Sequence, residues 1–165
     1  MKDSEIKRKE ISEEGQKKRT FLARLTKEKK LGLRVQKELS RSSKVLNKII
    51  SSQEKKLKVG ESFNLADHKG RLSLPVKGKI LNRFGKKRDK RYASYVVLNG
   101  ISIQTAKNTP VRSVYSGKVL YTGQVDGYGN LIIVGHGAKY HTVYGHLDKI
   151  ITVPGKSIRK GQIIG

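Results

Sequence analysis

Apolar and β-branched residues are crowded into residues 72–165, whereas residues 1–60 are highly charged and sparsely apolar. A chain buries a core only where it has apolar side chains to fill one. The sequence therefore allows one real core, in its C-terminal portion. At 165 residues there is room for one ordinary domain and an added element. The overall apolar share of 35% is low for a globule, which fits a chain only part of which packs around a core.

Residues 4 to about 58 are predicted to be helical. They are rich in Lys, Glu, Arg, Gln and Leu and contain no proline. A heptad frame runs through Leu22, Leu25, Leu39, Leu46, Ile50 and Leu57, but it also places Lys29, Gly32, Gln36, Ser43 and Gln53 on the seam. Gly15 and Gly32 weaken such a helix by about 1 kcal/mol each relative to alanine. A lone basic helix buries too little to be stable. The segment is thus expected to be one or two arms of a coiled-coil hairpin, against the plainer reading of a solvated helix with a partial stripe.

Residues 60–71 read as a linker, with Gly, Ser, Asn, Asp and His and few apolar residues. Short β-rich runs follow, punctuated by turn residues. These are Val76–Phe84 around Gly78, Ser94–Ile103 broken by Asn99-Gly100, Val111–Tyr115, Lys118–Val125, Leu131–Val134 and Tyr140–Leu147. Asp126-Gly127, His136-Gly137 and Pro154-Gly155 mark turns. Short strands at this spacing predict a mainly antiparallel β domain, a sandwich or an open barrel, over residues 72–165.

The formal net charge is +24. It is not gathered into one arm: residues 1–60 hold 19 basic against 8 acidic residues, and residues 61–165 hold 18 against 5. A uniformly basic surface suits an anionic cell wall or lipid as well as nucleic acid. There are no cysteines, which excludes disulfides, thiolate metal sites and a thiol nucleophile. The N-terminus shows no apolar signal segment, and no stretch approaches the roughly 18 apolar residues of a membrane span.

Several short motifs fall in one order: Asn108-Thr109-Pro110-Val111, Ser116-Gly117-Lys118-Val119, Gly127-Tyr128-Gly129-Asn130-Leu131, His136-Gly137, Tyr144-Gly145-His146-Leu147 and Gly161-Gln162-Ile163-Ile164-Gly165. Together they make residues 72–165 similar to the lysostaphin/LytM-type zinc endopeptidases, which cut peptidoglycan cross-links. The basic helix, the linker and the phrase Gly70-Arg71-Leu72-Ser73-Leu74-Pro75 with Arg83-Phe84-Gly85 resemble the EnvC-like murein hydrolase activators, which join a coiled coil to a degenerate LytM domain.

The resemblance implies a position-by-position test. Active members hold zinc with the His and Asp of a His-x-Gly-x-Asp pattern and with the last His of a His-x-His near the C-terminus. A zinc peptidase needs three such protein ligands and an open position for water. Here the first pattern aligns with Leu98-Asn99-Gly100-Ile101-Ser102, so Leu98 stands for the His and Ser102 for the Asp. Leu98 has no lone pair, and Ser102 is a neutral hydroxyl. The His-x-His is expected beyond Gly165. The resemblance places His146 beside the metal in active relatives; without metal it becomes a groove-lining His. His141 alternates to the opposite face if its strand is regular, His136 falls at a hairpin turn and His68 in the linker.

Other chemistry is weaker. Gly127-Tyr128-Gly129 precedes no helix and is not a phosphate loop. Ser102, Ser113 and Ser116 lack a triad pattern, and Asp89, Asp126 and Asp148 fall at turns or loops. The run Lys86–Arg91 reads as a solvated loop at a groove rim, able to touch anionic wall polymer.

The resemblance therefore implies a protein without catalysis or cofactor. It would activate or recruit a peptidoglycan amidase during cell separation, through a groove lined by Leu98, Ser102, Tyr144, His146 and Arg83. Its partners would be the amidase, peptidoglycan and a membrane-anchored division complex, in the periplasm or cell envelope. The alternatives are an active zinc endopeptidase, with zinc as cofactor, and a nucleic-acid-binding protein. Against the latter, residues 1–60 contain a single aromatic, Phe21.

Overall fold

The computed structural model describes residues 2–57, 65–89 and 94–165. The front of the linker, residues 60–64, and Lys90 and Arg91 of the basic run lie outside the described residues. Helix α1 spans Lys2–Leu57 without interruption, through both Gly15 and Gly32. A short 3₁₀ turn, Ala66–His68, follows. The strands are β1 (Lys79–Asn82), β2 (Gly85–Asp89), β3 (Ser94–Leu98), β4 (Ser102–Gln104), β5 (Gly117–Val125), β6 (Gly129–Gly135), β7 (His141–Leu147) and β8 (Ser157–Ile158). Every pairing between these strands is antiparallel: β1 with β4, β2 with β3, and a four-stranded sheet in the order β7-β6-β5-β8.

The chain divides into two compact units. One comprises residues 1–37 and 84–100; the other comprises residues 38–83 and 101–165. In the first, β2 and β3 form a two-stranded ribbon in unbroken register from Gly85↔Leu98 to Asp89↔Ser94. The expectation of a solvated loop over Lys86–Arg91 is corrected here, because Lys86–Asp89 are strand residues. Charge did not prevent pairing, since the side chains of Lys86 and Lys87 stay in water while their backbone groups join the ladder.

In the second unit the four-stranded sheet is buried on both faces, and the sequence shows why. Leu131, Ile132, Ile133 and Val134 are consecutive, all fully buried, and alternate sides with the strand period of two. Ile132 and Val134 pack with Val119, Tyr144, Leu147, Ile158 and Ile164. Leu131 and Ile133 pack on the other side with Leu120, Val125 and Leu46 of α1, and Ile49, Ile50, Tyr121 and Tyr128 close around them. The C-terminal turns of α1 are therefore part of the domain core. Gly127, in the left-handed region at φ 80°, turns β5 into β6 beside this helix; a Cβ there would sit 3.0 Å from Ser42 Oγ. Farther along, His141 Nε2 and Glu54 Oε1 meet at 2.8 Å, joining β7 to the same helix.

The strand expected over Val111–Tyr115 is reduced to a single bridge, Arg112 with Ile163. Its backbone groups are satisfied by two segments: Val111 and Ser113 N–H donate to Gly165 O and Gln162 O of the C-terminal stretch, and Arg112 N–H donates to Pro75 O.

Candidate functional site

β7 carries the most distinctive backbone in the domain. Asn130 pairs with Leu147 and Ile132 with Tyr144, so β7 has one residue more than β6 between these pairs. That is a β-bulge, a device that bends a strand and re-aims a side chain. His146 lies in it with φ 57°, a left-handed conformation that a side chain with a Cβ adopts only under constraint. The constraint is visible: His146 N–H donates to Tyr128 O at 2.7 Å, and Gly129 leaves room against the imidazole, where a Cβ would lie 3.6 Å from Nδ1. The ring is exposed. The alternation that would set His141 and His146 on opposite faces does not apply across such an interruption.

Beneath the site runs a buried polar chain. His136 lies at the hairpin between β6 and β7, where its N–H donates to Tyr140 O, and its side chain is fully buried. Its Nδ1 is 2.7 Å from Ser116 O and its Nε2 is 2.8 Å from Thr142 Oγ1. A carbonyl can only accept, so Nδ1 carries the proton and, in the neutral ring, Nε2 accepts from the Thr142 hydroxyl. The Thr142 and Tyr144 hydroxyls lie 3.0 Å apart, and with the Thr142 proton engaged it is Tyr144 that donates between them. Tyr144 Oη in turn accepts from Val114 N–H at 3.0 Å. Burial pushes the His136 imidazole below its usual value of 6.5; the Ser116 carbonyl opposes this, and the neighbouring His141 adds to it. The neutral ring is the form this chain of hydrogen bonds requires.

The sequence candidates fall into place unequally. Tyr144 belongs to the core and presents little surface, so it supports the site from below. Ser102, on β4, pairs with Asn82 at the end of β1, and Arg83 is the next residue along; both are exposed. Leu98 ends β3 and is half-buried in the other unit. Thr142, Ser116 and Glu54 were missed as contributors. The alternation of Thr142 with Tyr144 along β7 was the available signal for the first. Nothing local points to Ser116, 20 residues before its partner His136, or to Glu54, 87 residues before its partner His141.

At the positions that the resemblance aligns with the zinc ligands, the side chains differ from the expected donors. Leu98 offers a hydrocarbon and Ser102 a neutral hydroxyl. Among the described residues no three His, Cys, Asp or Glu side chains are grouped closely enough to hold an ion.

The sequence model of peptidase family M23 matches residues 96–165, the stretch from β3 to Gly165. Over these residues the chain is similar to peptidase family M23. Among its relatives is the murein hydrolase activator NlpD of Escherichia coli, 33% identical over 91 residues, covering 54% of this chain and 22% of that protein. The cell division protein DipM of Caulobacter vibrioides is 30% identical over 106 residues, covering 64% of this chain and 17% of that protein. A zinc-containing peptidase from Vibrio cholerae has a similar structure, with a TM-score of 0.51 and 32% identity over 55% of this chain and 29% of that one. The chain thus spans less than a third of each of these relatives. Among the described residues no helix is long and apolar enough to cross a membrane.

Proposed function

We propose that this chain is a non-catalytic module of cell-wall metabolism that activates or recruits a peptidoglycan amidase during cell separation. The observation that carries this reading is the pair Leu98 and Ser102, which stand where the family's zinc-binding His and Asp are expected. A groove without those donors cannot lower the pKa of a bound water or polarise a carbonyl. It can still present a shaped surface. His146, held exposed by the bulge, with the exposed Ser102 and Arg83 of the same unit, supplies polar contacts for a partner segment, and Tyr144 braces β7 from the core. NlpD and DipM, an activator and a division protein by name, support the same reading. It places the chain in the cell envelope, with the amidase and peptidoglycan as partners.

The Vibrio cholerae likeness favours a second reading, a zinc endopeptidase. One experiment separates them. Peptidoglycan sacculi are incubated with the chain alone, with a purified peptidoglycan amidase alone, and with both, and soluble products are resolved by chromatography. The proposal expects the chain to be silent alone and to raise the amidase-specific products. Cross-link fragments released by the chain alone, and suppressed by a chelator, would establish the second reading instead.

A further inference from the structure

The β2–β3 ribbon is unusual for what it leaves in water. Lys86 and Val97 face each other across the ladder, and Tyr95 shares their face, two residues from Val97 on β3. Tyr95 is 53% exposed and Val97 51%. Lys86 Nζ sits 4.4 Å from the Tyr95 ring centroid, a cation held over an open aromatic face. Phe84, immediately before β2, is 74% exposed. In sequence, the run Lys86–Arg91 holds five basic residues against one acidic, Asp89, and the side chain of Lys86 is exposed beside these apolar groups. Exposed aromatic and apolar groups that the protein does not cover, set beside a cation, form a platform for a ligand with flat faces and negative charge.

We infer that the exposed face of this ribbon is a docking surface for peptidoglycan glycan strands. The choice of ligand rests on the cell-wall reading above. A glycan strand offers sugar C–H faces that lie against Tyr95, Val97 and Phe84. Its peptide stems carry carboxylates that meet Lys86, so the charges are complementary. Lys86 over Tyr95 places the cation and the stacking surface within one sugar's width of each other. A surface of this kind would hold the protein on the wall.

The test is co-sedimentation of the full chain with purified sacculi across a salt series, comparing wild type with Tyr95→Ala, Tyr95→Phe and Lys86→Gln. Circular dichroism verifies that each variant is folded. Loss of one aromatic contact of about 0.5–1.5 kcal/mol should raise the half-binding concentration about 2- to 10-fold in Tyr95→Ala, with Tyr95→Phe retaining most binding. Lys86→Gln should weaken binding at low salt and flatten its salt dependence. Sacculi whose carboxylates are blocked as neutral amides should bind the wild type and Lys86→Gln alike. All variants should still stimulate the amidase on soluble muropeptide, so failure here is distinct from failure of the activator reading. Unchanged sedimentation in Tyr95→Ala and Lys86→Gln, or no sedimentation of the wild type, would overturn the inference. So would a stronger, Tyr95-dependent affinity for single-stranded DNA that sacculi fail to compete away.

Discussion

The two ends of α1 are built from the same kinds of residue and differ in what they meet. Toward its N-terminal half, Leu22 is 61% exposed and Leu33 57%. Toward its C-terminal end, Leu46 is 7% exposed and packs against Leu120, Val125, Leu131 and Ile133. Both leucines 22 and 46 lie in the same heptad frame, so periodicity does not distinguish them. What does is the apolar sheet face beneath residues 42–54, with Gly127 giving clearance to Ser42 at one end and His141 reaching Glu54 at the other. Amphipathic pattern licenses burial; a complementary surface decides it.

The contrast can be broken most strongly at Leu46. Leu46→Ala removes a buried side chain from a two-sided core and should cost about 2–5 kcal/mol. Leu22→Ala should change stability by no more than about 0.5 kcal/mol. Paired denaturant titrations check the difference; equal effects would show that the helix is not anchored at its C-terminal end.

Next in size is the buried chain under β7. Tyr144→Phe leaves the Val114 N–H and the Thr142 hydroxyl short of a partner, at a cost of about 1–3 kcal/mol. The same chain makes stability depend on pH. Because His136 is held below 6.5 in the folded protein, the unfolded state binds its proton first as pH falls. The stabilisation is complete above about pH 6.5 and declines as pH falls below it. Thermal melts between pH 8 and pH 5 should show this decline, and it should be smaller in His136→Gln, whose baseline stability is lower.

Smaller effects sharpen the helix contact itself. Gly127→Ala forces a Cβ into the left-handed region and toward Ser42, costing about 1 kcal/mol. Glu54→Gln weakens a partly exposed pairing with His141 and should cost less than about 1 kcal/mol, with a difference from wild type that shrinks at high salt.

Much of the β domain was legible in the sequence because burial wrote itself into residue type. Leu131–Val134 could only be a strand covered on both sides, and Asp126-Gly127 could only be its turn. β2 was illegible because Lys86, Lys87 and Arg88 look like loop residues, and a ribbon that keeps one face in water tolerates them. β8 is two residues long, too short to leave a pattern. At the site, the sequence shows Leu98 and Ser102 at the positions where the resemblance expects zinc donors. The bulge at His146 could not be read there, because it is set by the carbonyl of Tyr128 on the neighbouring turn. His136 beside Gly137 has the local chemistry of a turn; only the fold brings Ser116 and Thr142 to its two nitrogens.

The central claim is that the groove proposed for this chain works without a metal. Its most direct test is calorimetric titration of the metal-free full chain with zinc at neutral pH, with the bound ion counted after gel filtration. The account expects no stoichiometric site, and the same result for Ser102→Ala as for wild type. One tightly bound zinc per chain, lost in Ser102→Ala, would contradict it.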